Sequence, residues 1–244
     1  KKMLKFGLTI SLSGLLTLSV AYLLRIYISQ LNGIEQVGLY SAGFTILNTY
    51  VGLIFSALGT DFFPRLSSVA QDNKLCKQLI NQQSEITILI MAPILIIFIV
   101  LIKWSVIILY SNEFLPVIPM LYWAVIGIFF KAGSWTISFL FLSKGAGKLF
   151  FMNELVTHTY TLVLNILGYY HFGLMGLGLS FLVAYFLYFI QVYIVAKIKY
   201  ELSYDTSFIK IFIFQILLAS LALFCVKYFE NHYFVTSILI IISA

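Results

Sequence analysis

Residues 85–103 read Glu-Ile-Thr-Ile-Leu-Ile-Met-Ala-Pro-Ile-Leu-Ile-Ile-Phe-Ile-Val-Leu-Ile-Lys, with no ionisable side chain between Glu85 and Lys103. A helix rises about 1.5 Å per residue, so such a run reaches across most of the roughly 30 Å hydrocarbon layer of a bilayer. A transmembrane strand needs about half that length and alternates apolar with polar residues, which this run does not do. Backbone N–H and C=O groups in lipid must be satisfied within the segment, and a helix does this. The stretch therefore predicts a membrane-spanning helix.

The same reading extends along the chain. Apolar runs of comparable character occupy residues 6–29, 38–62, 117–142, 149–169, 173–196 and 208–227, and a shorter one occupies 233–244. The expected fold is an all-α, polytopic transmembrane bundle of about eight spans. Composition agrees: 61% of the 244 residues are hydrophobic and 10% are charged, whereas soluble domains carry about 25% charged residues. The mean hydropathy of +1.02 excludes an ordinary soluble domain. The chain starts at Lys1, and Ala244 lies inside an apolar run. Both ends read as cuts in a longer protein.

The net charge of +6 could suggest a nucleic-acid partner. The basic residues are instead dispersed in short segments between spans, which is a topology signal. With the first residues cytoplasmic, Lys1, Lys2, Lys5, Arg65, Lys74, Lys77, Lys144, Lys148, Lys197, Lys199 and Lys210 fall inside, and Lys103 and Lys227 outside. This follows the positive-inside rule. Cys76 and Cys225 then lie on opposite sides and cannot pair. The connector at 64–84 reads as an amphipathic surface segment, and 104–116 as an interfacial helix and turn.

Polar residues at membrane depth carry the functional information. At helical period the first span aligns Gly7, Ser11, Gly14, Leu18, Tyr22, Arg25 and Ser29, and the second Ser41, Thr45, Asn48, Gly52, Ser56 and Gly59. The fourth aligns Met120, Ala124, Gly127, Lys131, Ser134 and Ser138, and the fifth Glu154, Thr157, His158, Thr161, Asn165 and Gly168. Small residues permit close helix packing, but four such stripes, two bearing a cation, favour a shared hydrated cavity. Lys131 is mid-span, where a cation costs about 2.5–3.5 kcal/mol on insertion scales. It is either an anion-binding cation in the cavity or a structural partner of Glu154. Arg25 either faces the cavity, where its planar fork suits phosphate oxygens, or snorkels to the outer headgroups. Tyr22, Asn48 and Asn165 are possible cavity-lining residues, and Tyr188 could line a sugar path. Glu154 and His158, four residues apart, share a face. They form either a proton-responsive coupling pair or an interfacial polar patch. Asp61, at the cytoplasmic end of the second span next to Arg65, reads as a local ion pair or a helix-end residue. No catalytic motif, cofactor motif or metal-ligand cluster occurs; His158, His171 and His232 are isolated.

Four stretches carry a family resemblance: Asn32-Gly-Ile-Glu-Gln-Val-Gly-Leu-Tyr-Ser41, Phe62-Phe-Pro-Arg-Leu-Ser67, Leu109-Tyr110 through Glu113-Phe114, and Asn165-Ile-Leu167 followed by Phe172-Gly-Leu-Met-Gly-Leu-Gly178. In order and spacing they resemble the second half of polysaccharide flippases of the multidrug/oligosaccharidyl-lipid/polysaccharide exporter superfamily. The resemblance implies that residues 1–199 form the second six-helix lobe of a transporter and that 200–244 form two additional C-terminal helices. It implies a first lobe preceding Lys1, a central cavity with alternating access, and no cofactor. The implied cargo is an undecaprenyl-pyrophosphate-linked oligosaccharide, a unit of O-antigen, capsule or exopolysaccharide. The implied location is the bacterial inner membrane, with membrane lipids and no nucleic acid as further partners. Arg25 and Lys131 are the cavity cations by position. A drug/cation antiporter of the same superfamily would require an intramembrane carboxylate. A membrane-embedded glycan polymerase or ligase would require a sizeable outer loop with catalytic residues, and the outer loops here are short.

Overall fold

The computed structural model describes residues 2–229 and 233–243. Lys1, His232 and Ala244 lie outside the described residues, as do the side chains of residues 2–6, 50, 233 and 234. The described chain is built of α1 (Lys2–Ser68), α2 (Asn73–Leu109), a short 3-10 turn (Asn112–Val117), α3 (Ile118–Ser143), α4 (Gly147–Tyr200), α5 (Thr206–Tyr228) and α6 (Tyr233–Ser243). Among the described residues five stretches are long and apolar enough to cross a membrane: those within α1 to α5.

Two of these helices are far longer than one crossing, and each breaks at a glycine. In α1 the backbone leaves the helical region at Gly33 (φ 84°, ψ 175°), and in α4 at Gly173 (φ 57°, ψ −139°). Positive φ is strained for residues with a Cβ and open to glycine. The break at Gly33 falls in the gap between two expected spans and that at Gly173 on the first residue of the next, so each long helix consists of two limbs.

The α4 limbs fold back on each other. Asn153 meets Gln191, Tyr160 meets Ala184, Leu164 meets Ser180, and Gly168 abuts Gly176. Every pair is centred on residue 172, which defines an antiparallel hairpin. A Cβ on Gly176 would run into the carbonyl of Gly168, so the two glycines are what allow the backbones to approach this closely. The first limb of α1 runs parallel to the first limb of α4, joined at Thr17–His158 and Tyr27–Tyr169. The second limb of α1 runs along α3, where Gly43 packs on Met120 and Gly59 on Trp135.

α3 is the central helix. Most of its residues are buried, and it packs on α1, α2, α4 and α5. A buried Ser84–Thr136 hydrogen bond of 2.7 Å joins it to α2. α5 packs along α2, and α6 lies against both.

The 64–84 connector departs from the surface segment expected there. Helix continues to Ser68 and resumes at Asn73, leaving a four-residue turn. Asp72 explains the sharp restart: its carboxylate accepts from the backbone N–H of Lys74 and Leu75, capping α2. In the 104–116 segment α2 likewise runs on to Leu109 before the 3-10 turn, which Ser111 caps. Asp61 and Arg65 form the expected local ion pair at 2.9 Å. Cys76, near the start of α2, and Cys225, near the end of α5, are both free and buried.

Candidate functional site

A cavity of about 380 Å³ opens among α3 and the two limbs of α4. Lys131, Ser134, Trp135, Ser138 and Phe139 line it from α3. Glu154, Thr157, His158 and Thr161 line it from the first limb of α4, and Ala184, Tyr185 and Tyr188 from the second. The structure thus brings Lys131, Glu154 and His158 into one site.

It also divides the polar stripes by depth. On α3, Met120, Ala124 and Gly127 are packed, with Gly127 against Phe181 and Leu182, whereas Lys131, Ser134 and Ser138 face the cavity. On α4, Gly168 packs on Gly176 and Asn165 is buried, whereas Glu154, His158 and Thr161 face the cavity. In each helix the half nearer the turn at Gly173 is a packing seam, and the half nearer the lysine-rich end opens.

Lys131 has no carboxylate within ion-pair distance among the described residues. Its Nζ sits over the Tyr185 ring at 5.3 Å and the Phe55 ring at 5.9 Å. Ring quadrupoles attract a cation but leave its N–H donors free for an anion. The expected alternative of a Lys131–Glu154 pair is not formed, because Glu154 is engaged elsewhere. Its Oε1 accepts from Tyr188 Oη at 2.7 Å, and its Oε2 lies 3.6 Å from His158 Nε2. Tyr188 Oη is also 2.7 Å from Ser138 Oγ, and His158 Nε2 is 3.0 Å from Thr17 Oγ1. A polar relay therefore runs from α3 through both limbs of α4 to α1.

Arg25, Tyr22 and Asn48 lie elsewhere. All three are exposed on α1, together with Ser11, Gly14, Thr45, Gly52 and Ser56 of the same stripes. Among the described residues these stripe positions are exposed in this chain, whereas Gly59 packs on Trp135; Thr17 and Phe55 set the exposed stretches beside the cavity. Tyr185 and Trp135 were not legible as site residues, since aromatic residues within apolar runs carry no mark of their own. Among the described residues no three His, Cys, Asp or Glu side chains stand together as a metal site. The site offers a cation, hydroxyls, one carboxylate–imidazole pair and aromatic walls. These suit binding an amphiphilic anion.

The model of a family described as "Polysaccharide biosynthesis protein" matches residues 1–119. A Shigella flexneri protein described as "Putative O-antigen transporter" is 31% identical over 97 residues, which are 40% of this chain and 23% of that protein. The structure of the lipid II flippase MurJ in an inward closed conformation superposes with a TM-score of 0.60 at 15% identity, covering 90% of this chain. The chain spans about half the length of that flippase. The chain therefore resembles the polysaccharide biosynthesis family in sequence over residues 1–119, which hold three of its four motifs, and the lipid II flippase in fold over nine-tenths of its length.

Proposed function

We propose that this chain is the second lobe of a transporter that moves an undecaprenyl-pyrophosphate-linked oligosaccharide across the bacterial inner membrane by alternating access. The observation that carries this is Lys131: a mid-helix cation over two aromatic rings, facing a cavity, with no carboxylate paired to it among the described residues. Such a cation offers charge to an anion that must cross a low-dielectric layer. Arg25, on the exposed stripe of α1, is the second cation of the path, and Tyr22 and Asn48 are its polar lining, whereas Asn165 is buried in the α4 seam. The sugars occupy the hydrated interior, and the isoprenoid chain stays in the bilayer.

The exposed polar stripes of α1 face the first lobe. Two polar helix faces turned to lipid would be costly, so a facing lobe with water between is the economical arrangement. Residues 1–199 form the lobe proper and 200–244 two additional helices. The lysine-rich end is cytoplasmic, supported by the contacts that gather Lys77, Lys144, Lys197 and Lys199 there.

The test is complementation in the full-length protein. Lys131→Ala is expected to abolish surface polysaccharide at matched expression; normal polysaccharide would remove Lys131 from the path. The drug/cation antiporter reading has one observation in its favour, Glu154 in the cavity. Lys131 in the same space disfavours a cationic cargo. Sensitivity to cationic drugs that changes in Glu154→Gln while polysaccharide export is untouched would favour the antiporter.

A further inference from the structure

The flippase reading uses Lys131 and leaves the Glu154–His158 pair without a task. Both side chains are more than four-fifths shielded, at 18% and 16% exposure. They stand where α1 meets α4. Glu154 is fixed: Tyr188 donates to Oε1, and Ser138 holds Tyr188 in turn. Its free oxygen, Oε2, faces His158 at 3.6 Å.

His158 Nε2 therefore has two partners in competition, Glu154 Oε2 on its own limb and Thr17 Oγ1 on α1. Which one it takes depends on a proton. A neutral imidazole with a bare Nε2 accepts the Thr17 hydrogen. An imidazolium must donate from Nε2, and a carboxylate is a far stronger acceptor than a hydroxyl, since charge-assisted hydrogen bonds are about twice as strong as neutral ones. Protonation thus draws the ring to Glu154. The Thr17 hydroxyl, which has one hydrogen, turns to the carbonyl of Ser13 at 3.1 Å.

The surroundings suit a proton rather than a metal ion. Lys131 faces the same cavity from α3, Tyr185 and Tyr188 face it from the second limb of α4, and Tyr160 lies on the same limb as the pair. From α1 the group in contact is Thr17, which does not titrate.

We propose that Glu154 and His158 form a proton-binding site, and that proton uptake there releases the first limb of α1 from α4. The consequence for transport rests on the flippase reading. The released limb carries Tyr22 and Arg25, so proton uptake would free one wall of the cargo path.

The experiment uses the full-length protein in lipid, with spin labels on cysteines replacing the exposed Leu15 and Val156, and measures their separation at pH about 8 and about 5.5, either side of the ordinary histidine range. The separation is expected to lengthen at the lower pH. Thr17→Val should give the low-pH distribution at both values. Glu154→Gln removes the charge that makes the competing acceptor the stronger one and His158→Gln the titrating ring, so both should abolish the pH response. Identical wild-type distributions at the two pH values, or a response that survives in His158→Gln, would overturn the proposal. A pH response in protein that translocates no lipid-linked glycan upholds the proton site and removes the flippase reading. Translocation without a pH response does the reverse.

Discussion

Lys131 and Glu154 line one cavity without pairing. The ammonium lies over Tyr185 and Phe55, while the carboxylate is bound by Tyr188 and faces His158. Mutual neutralisation would have left a cavity with no net attraction for an anion. Keeping them apart leaves Lys131 available to cargo and Glu154 available to a proton.

A residue kept for function is poorly placed for stability. A mid-depth lysine costs about 2.5–3.5 kcal/mol on insertion scales. Lys131→Met in the full-length protein should therefore leave thermal stability unchanged or raise it, while surface polysaccharide is lost. A fall in melting temperature would assign Lys131 to the scaffold instead.

The α4 hairpin depends on Gly168 and Gly176. A methyl at Gly176 would meet the Gly168 backbone, which cannot swing aside as a side chain can. Gly176→Ala should destabilise by about 1–3 kcal/mol, the usual range for overpacking. Gly52→Ala, with open space around it, should be tolerated. Thermal denaturation of the purified full-length variants compares the two.

The buried Ser84–Thr136 hydrogen bond joins α2 to α3. A double-mutant cycle with Ser84→Ala and Thr136→Val should return a coupling of about 0.6 kcal/mol, typical of hydrogen bonds between membrane helices. A coupling indistinguishable from zero would mean that the two helices are held by packing alone.

The exposed stripe of α1 should be wet in the full-length protein, whereas the exposed face of α2 should face lipid. Gly52→Cys should react with a water-soluble maleimide in intact membranes. Ile97→Cys, also at an exposed position in this chain, should not. Equal protection of both would place the α1 stripe against lipid or in a dry interface.

The fold was readable because apolar run length is a direct consequence of bilayer thickness. The run at 85–103 and its neighbours predicted helices, and the break at Gly33 falls where the runs lapse, while that at Gly173 falls on the first residue of an expected run. The site was readable only in part. Lys131, Glu154 and His158 announce themselves by charge in apolar surroundings, but nothing local links them. The carboxylate of Glu154 and the hydroxyl of Tyr188 lie thirty-four positions apart and meet only because α4 folds back. The double use of a stripe, as seam at one depth and cavity wall at another, is likewise invisible to periodicity. Glycine and serine satisfy both roles, and the neighbouring helix decides between them.

The most direct test is to reconstitute the full-length protein in liposomes with labelled lipid-linked glycan in one leaflet. The glycan should reach the opposite leaflet chemically unchanged, and the Lys131→Ala protein should fail to move it. A glycan that stays in place with wild-type protein, or that appears as a polymerised or transferred product, would contradict the assignment of this chain to a flippase.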